Sequence, residues 1–151
     1  MTYLENIETR VMENLYLLDK GIRDCALMEC GDVDENGNIP KDVEDMIMKR
    51  LSTHSNIRVV FKTFKYLKCG DEYGISIDAF FYKYNFQRIL IEKLHTDIPT
   101  HSFLYEYCLG TLLGYSSASM EEFLMRNTTE KLINTVNVAK NQERCNQCSA
   151  E

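Results

Sequence analysis

The stretch NIRVVFKTFKYLK (residues 56–68) decides the fold, because its β-branched and aromatic residues are typical of a strand. The turn CGDEYG (69–74) follows it, and ISIDAFFYK (75–83) then repeats the same strand composition. Two strands joined by a short loop that contains Gly form a hairpin. The sequence therefore predicts a β-hairpin over residues 57–83, around which the other elements pack.

Helices are predicted before and after this hairpin, because apolar residues recur there every three or four positions. Their predicted ranges are 3–19, 41–53, 85–94, 100–113 and 117–127. The segment IRDCALMEC (22–30) fits either an edge strand or a continued helix. We expect a single α+β domain over residues 1–136, in which a short antiparallel sheet built on the 57–83 hairpin packs against several helices, with helix in the majority. Residues 137–151 are polar and predicted to form a flexible tail.

The apolar stripes of these helices identify their candidate core residues. In the first helix the stripe is Leu4, Ile7, Val11, Leu15 and Leu18, and in the second it is Val43, Ile47 and Leu51. In the helix over 85–94, the residues that share one face are Phe86, Ile89, Leu90 and Leu94. Stripes of this kind are typical of amphipathic helices that bury one side.

The charge is unevenly distributed along the chain, although the net charge is only −6. Between Asp24 and Asp45 there are eight acidic residues and one lysine, which gives this acidic segment a local charge of −7. Between Met46 and Gly70 there are six basic residues and no acidic one. Such a layout is either ordinary solvated surface or a charged face that steers a partner.

Composition and cysteine use predict a cytoplasmic protein. No apolar run approaches the roughly 20 residues that cross a bilayer, so we expect no contact with a membrane. The beginning, MTYLENIETR (1–10), is acidic and polar, unlike a secretory signal. Six cysteines without an export signal favour a reducing compartment and free thiols.

The stretch GDVDENGNIPKDVE (31–44) begins like an EF-type calcium loop. With Asp32 at position 1, Asp34 takes position 3 and Gly37 takes position 6. Position 12 needs a bidentate carboxylate, but Val43 stands there. We therefore interpret the stretch as a turn whose Asp, Asn and Gly residues form local hydrogen bonds, and we predict no metal.

No pattern in the sequence marks a catalytic or cofactor site. The pair in CNQC (145–148) could supply two thiolates to zinc, but a structural zinc site needs four ligands and there is no second CxxC. His54, His95 and His101 belong to no catalytic motif. We therefore predict a protein that is not an enzyme and needs no cofactor.

The segment YEYCLGTLLGYSSASMEEFLMR (105–126) resembles a helix-turn-helix, with Gly114 at the turn. As a DNA reader it would bring Ser117 and Ser119 to the duplex, but the glutamates beside them would be repelled by phosphates. Ser119 and Glu122 fit equally well a capping box at the start of a helix. We favour two packed helices over a DNA-binding motif.

The first hairpin strand offers a second candidate contact for nucleic acid. One of its faces alternates basic and aromatic side chains, namely Arg58, Lys62, Phe64, Tyr66 and Lys68. Aromatic rings interleaved with bases can stack on single-stranded nucleotides. The net charge of −6 argues against general affinity for nucleic acid. We favour the alternative that helices, or a second copy of the chain in a homodimer, cover these aromatics.

In general character, and in the stretch LLGYSSASMEEFL (112–124), the chain resembles small acidic accessory proteins of phages and mobile elements of low-GC bacteria. The resemblance implies a protein that modulates a host or defence factor by binding it, without chemistry of its own. The candidate contacts with that partner protein are Asp32, Asp34, Glu35, Asp42 and Glu44, whose carboxylates could occupy a basic site on it. The alternative is a nucleic-acid-binding regulator that uses the helix-turn-helix-like segment or the basic strand.

Overall fold

The structure is a computed structural model that describes residues 1–99 and 102–150, without the side chains of residues 128, 131, 135, 138, 142 and 144–150. Its elements are α1 (Tyr3–Asp19), β1 (Cys25–Asp32), α2 (Lys41–Leu51), β2 (Arg58–Leu67), β3 (Tyr73–Tyr82), α3 (Asn85–Asp97), α4 (Phe103–Leu112) and α5 (Ser117–Ala150). These helices and the three-stranded antiparallel sheet confirm the predicted α+β class, with helix in the majority. The chain forms two compact units, Met1–Gly114 and Tyr115–Glu151. The predicted domain boundary at residue 136 stays a prediction.

The sheet has the strand order β1-β3-β2, so the last strand in the chain lies at its centre. β2 and β3 pair antiparallel along their whole length, which confirms the predicted hairpin. β1 pairs with the other side of β3, so the ambiguous segment 22–30 contributes an edge strand. The register of this pairing shifts between Glu29 and Gly31, and Gly31 has a φ of +93° at this β-bulge.

α1 and α2 cover one face of the sheet. Their predicted stripes are buried apart from Leu4, which is half-buried. The core of this layer contains Ile7, Val11, Leu15, Leu18, Ala26, Met28, Cys30, Val43, Met46, Ile47, Leu51, Ile57, Ile77, Ala79 and Phe81. Complete burial of a large apolar side chain contributes about 1.5–3 kcal/mol, so this layer is a major source of stability.

α3 and α4 cover the opposite face. Phe80 and Tyr82 of β3 are buried there with Cys25 and Ile91, and leucines of α4 pack against them. β3 is therefore covered on both of its faces. A strand buried on both faces carries apolar residues at consecutive positions, which explains the AFFY run at 79–82.

The face of α3 that meets the core differs from the predicted stripe. Gln87, Ile91 and Leu94 are buried, whereas Phe86, Ile89 and Leu90 are exposed. The Gln87 side chain accepts hydrogen bonds from the backbone amides of Lys83 and Tyr84, each at 2.9 Å. These bonds close the start of the helix. Gln87 shares the inner face with Ile91 and Leu94, and the predicted apolar face turns outward.

The second unit contains α5, which is helical up to Ala150 and so includes the polar stretch predicted to be a flexible tail. Residues 137–150 contain neither Gly nor Pro, so nothing in them interrupts a helix. The Ser116 hydroxyl accepts a hydrogen bond from the Ser119 amide at 3.2 Å, so the helix is capped three residues before the predicted cap. No helix in residues 1–99 or 102–150 is both long and apolar enough to cross a bilayer.

Candidate partner-binding site

The acidic turn between β1 and α2 is organised by Asp34. Its Oδ1 accepts hydrogen bonds from the backbone amides of Asn36 and Asn38, both at 2.9 Å. The Gly37 amide donates to the Asp34 carbonyl oxygen at 3.0 Å, and Gly37 has a φ of +80°. Val43, at the position where a calcium loop needs a carboxylate, is 1% exposed in the core. The stretch is thus the locally hydrogen-bonded turn that the sequence indicates.

Two of the four cysteines of the first unit, Cys25 and Cys30, are buried thiols, and Cys108 is half-buried. Burial raises the pKa of Cys25 to about 12 and that of Cys30 to about 11, so both stay protonated at neutral pH. Cys69 is exposed. Cys145 and Cys148 lie outside the described side chains, and among those that are described no group of three His, Cys, Asp or Glu is placed to hold a metal.

Asp32, a predicted partner contact, instead meets two residues of the basic strand and its turn. Its Oδ1 accepts a hydrogen bond from the Tyr66 hydroxyl at 2.6 Å. Its Oδ2 lies 3.8 Å from the Lys68 ammonium nitrogen. The hydrogen bond to Asp32 also raises the pKa of Tyr66. The acidic and basic segments of the sequence therefore partly neutralise each other within the fold.

A cleft of about 450 Å³ lies between the acidic turn and the sheet, and we call it the turn cleft. It is lined by Asp34, Gly37, Asn38, Ile39, Lys41, Glu44, Phe61, Thr63 and Ile77. Lys41 pairs with Glu44 at 4.0 Å and with Asp45 at 2.9 Å. Glu35 and Asp42 are exposed and form no ion pair within the described part of the chain. The lining of the turn cleft thus contains both apolar side chains, such as Ile39 and Phe61, and carboxylates.

The predicted nucleic-acid contacts do not form one continuous basic surface. Lys62 forms an ion pair with Glu92 of α3, and Tyr66 and Lys68 both contact Asp32. Arg58, Ser117 and Ser119 are exposed, and Phe64 is half-buried. Phosphate binding needs several unneutralised bases on one surface, so these internal pairings weaken the nucleic-acid interpretation.

The sequence does not predict a buried polar pair on β3, which is formed by Ser76 and Asp78. Ser76 is 5% exposed and Asp78 is 7% exposed. Among the described residues nothing hydrogen-bonds to Ser76 Oγ or to Asp78 Oδ1. Burial raises the pKa of Asp78 to about 7, and the neighbouring Glu29 carboxylate adds to the shift. Lys62 stands directly opposite Asp78 on β2, but its ammonium is bound to Glu92.

Two of the three histidines have structural partners. His54 Nδ1 lies 2.7 Å from Asp19 Oδ2, which ties the end of α2 to the end of α1. His95 Nδ1 lies 2.8 Å from the Ile91 carbonyl oxygen, and its Nε2 lies 3.3 Å from the Tyr105 hydroxyl. Burial raises the pKa of that tyrosine to about 12. His101 lies outside the described residues.

Comparison of the chain with protein-family models, with curated proteins and with solved structures found no match. The α+β class therefore rests on the elements and strand pairing of this chain itself. Among the surfaces of this chain, the turn cleft combines apolar side chains with carboxylates of the acidic segment.

Proposed function

We propose that this chain is a cytoplasmic binding protein, of the accessory type found in phages and mobile elements, that modulates a partner protein without catalysis. The observation that carries the proposal is the acidic turn. Asp34 bonds to two backbone amides of the turn, and Glu44 lines the turn cleft. Two further carboxylates, those of Glu35 and Asp42, are exposed and adjoin the lining residues Asp34 and Lys41 in the chain. A rigid acidic surface loses little conformational entropy when it binds.

The turn cleft suits a basic side chain of a partner protein. Lysine and arginine bury an aliphatic stem against apolar surface while the charged head stays with polar groups. Ile39 and Phe61 offer the apolar surface, and Asp34 and Glu44 offer carboxylates beside it. Complementary charge also speeds association with a basic surface and excludes acidic ones.

The experiment compares two triple variants that remove the same amount of charge. The first, Glu35→Gln with Asp42→Asn and Glu44→Gln, neutralises the proposed contact and leaves Asp34 to hold the turn. The matched control is Glu13→Gln with Asp71→Asn and Glu72→Gln, which changes exposed acids elsewhere in the chain. Each protein and the wild type is used to select binders from a displayed library of random peptides.

We expect the wild type and the control to enrich peptides rich in Lys and Arg, with affinities that fall as salt is added. The contact variant should bind those peptides at least about tenfold more weakly, which corresponds to 1.4 kcal/mol. Peptides without excess basic residues, or equal loss of affinity in both variants, would show that the acidic turn is not the contact. Light scattering on the wild type measures whether the chain is a homodimer.

The alternative, a nucleic-acid-binding regulator, predicts a different result. Fluorescence anisotropy with labelled single-stranded and duplex DNA should then show binding that weakens steeply with salt, because phosphate contacts release counterions. Replacing the predicted contacts Arg58 and Lys68, both exposed, by Gln should reduce that binding. Such a result, together with no selection of basic peptides, would replace the protein-binding proposal.

A further inference from the structure

A second cleft, of about 480 Å³, lies at the β-bulge of the sheet edge, and we call it the bulge cleft. Its lining includes aromatic, acidic and hydroxyl side chains, namely those of Tyr3, Glu29, Asp32, Phe64, Tyr66 and Ser76. It is formed by α1 and all three strands, within the first unit of the chain. Glu29 and Asp32 belong to the acidic segment, but neither lines the turn cleft.

The strand register brings three chemically different side chains into one row. Ser76 of β3 pairs with Asp32 of β1 on one side and with Phe64 of β2 on the other. Directly paired residues in a sheet point to the same face, with their Cβ atoms about 5 Å apart. The row therefore presents a carboxylate, a hydroxyl and an aromatic ring side by side.

Ser76 is the unusual member of this row. A buried hydroxyl normally has a hydrogen-bond partner, because burying it without one is destabilising. Ser76 is 5% exposed, lines the bulge cleft, and has no hydrogen-bond partner among the described residues. An N–H group of a ligand in the cleft could donate a hydrogen bond to Ser76 Oγ.

The bulge cleft offers carboxylates to a cation, and Arg10 and Lys68 neutralise part of their charge. Glu29 and Asp32 line it, and the buried Asp78 follows Ser76 on the same face of β3. The base in the lining is Arg10, whose guanidinium lies 3.5 Å from the Glu29 carbonyl oxygen. Asp32 Oδ2 is 3.8 Å from the Lys68 ammonium, too far for a hydrogen bond, so this oxygen can accept one from a ligand.

Neighbouring negative charges contribute to raised pKa values of two groups in this region, Asp78 and Tyr3. Burial raises the pKa of Asp78 to about 7, and the Glu29 carboxylate adds to it. Burial also raises the pKa of Tyr3, and the charges of Cys30 and Asp32 add to that effect. Burial disfavours any charge, so only the smaller contributions from the like charges of Glu29 and Asp32 favour a cation here.

We propose that the bulge cleft binds the ammonium group of a primary alkylamine, which donates hydrogen bonds to Asp32 and Ser76 while its alkyl chain lies against Phe64 and Tyr66. Aromatic faces attract ammonium groups and also pack against methylenes. The ammonium belongs either to a free amine, such as a diamine, or to the lysine side chain of another protein. The site does not depend on the proposed contact at the turn cleft, because the residues neutralised there are different.

The test uses the full chain labelled with 15N and three probes that share a four-carbon alkyl chain. These are 1,4-diaminobutane, N-acetyl-lysine methylamide and the neutral butane-1,4-diol. We expect the ammonium compounds to shift the backbone signals of Asp32 and Ser76 in a saturable way, and the diol to leave them unchanged. Stronger binding of the diamine identifies a free amine as the ligand, and stronger binding of the blocked lysine identifies a protein side chain.

Two variants separate binding from folding. Ser76→Ala should weaken amine binding about tenfold or more while leaving the free energy of unfolding equal or higher, because its hydroxyl is unpaired in the fold. Asp32→Asn should weaken amine binding similarly and still offer an oxygen to Tyr66. The controls Ser55→Ala and Asp71→Asn change exposed residues and should leave the affinity unchanged.

Either of two results would overturn the proposal. One is the absence of saturable shifts with both ammonium compounds up to about 10 mM, a weak affinity by any standard. The other is unchanged amine affinity in Ser76→Ala. The Glu35, Asp42 and Glu44 triple variant should bind the amine like the wild type, so failure of the protein-contact proposal and failure of this one are told apart.

Discussion

Replacing Asp78 by Asn should remove a pH-dependent loss of stability from this protein. Asp78 lies on the central strand, 7% exposed, with its Oδ1 unpaired among the described residues. Burial, with a contribution from Glu29, raises its pKa from 3.8 to about 7. Lys62 stands opposite but pairs with Glu92, and no cation among the described side chains forms an ion pair with the Asp78 carboxylate.

The sign and size of the change in free energy of unfolding follow from the linkage between protonation of Asp78 and folding. Below pH 4 the carboxyl is protonated in both the folded and the unfolded state, and its stabilising contribution is fully present. Between pH 4 and pH 7 the unfolded state ionises while the folded state still holds the proton, so the free energy of unfolding falls as pH rises. Over that window the shift from 3.8 to about 7 corresponds to at most about 4 kcal/mol. Above pH 7 the loss is complete and the curve is flat again.

Urea unfolding followed by circular dichroism, at intervals from pH 4 to pH 8, measures this effect. The predicted quantity is the difference in free energy of unfolding between wild type and Asp78→Asn, followed as a function of pH. The titration of other carboxyls is common to both proteins, and the cost of the buried amide does not change with pH, so neither contributes to the slope of this difference. Between pH 4 and pH 7, we expect the free energy of unfolding of the variant to rise by about 2–4 kcal/mol relative to that of the wild type. Asp71→Asn, an exposed control, should show no such slope. A flat difference for Asp78→Asn, or a midpoint near 4 for Asp78 in a 13C titration, would refute the reasoning.

Three further changes test other parts of the structure. Asp34→Ala removes the acceptor of two backbone amides and should lower the free energy of unfolding by about 1–2 kcal/mol, whereas Asn36→Ala should change it little; equal effects would contradict the assigned turn. Gly31→Ala should cost about 1–3 kcal/mol in thermal or urea unfolding, because φ is +93° and the new Cβ would overlap the Tyr3 hydroxyl, and Gly21→Ala, with open space around it, should cost less. In native protein at pH 8, iodoacetamide should modify Cys69 and spare Cys25 and Cys30 until urea unfolds the chain, and early modification of either buried thiol, detected by peptide mass spectrometry, would contradict their burial.

The elements that local pattern defines were predictable from the sequence. α1 covers the predicted range 3–19, and the hairpin strands agree with prediction to within about two residues. The acidic turn was also predictable, because Asp34 bonds to amides only two and four residues away. In each case the residues that determine the structure are neighbours in the chain.

The features that depend on distant contacts were not predictable. Two stripes of α3 were plausible as its inner face, and the buried one packs Ile91 against Phe80 and Tyr82 of β3, a contact that the helix's own sequence does not reveal. The pairs between Asp32 and Tyr66 and between Lys62 and Glu92 join residues 34 and 30 positions apart. The burial of Ser76 and Asp78 follows from covering β3 on both faces, although their alternation with Phe80 and Tyr82 was a visible signal that they share a buried side.

The strand order also governs when the sheet can assemble as the chain leaves a ribosome. β1 and β2 are both synthesised before β3, yet each of them pairs with β3 and not with the other. Until about residue 82 has emerged, both outer strands lack their hydrogen-bonding partner, and α1 and α2 lack the Ile77, Ala79 and Phe81 side of their core. We expect the hairpin of β2 and β3 to form first and β1 to pair last, because closing the longer loop between β1 and β3 costs more entropy.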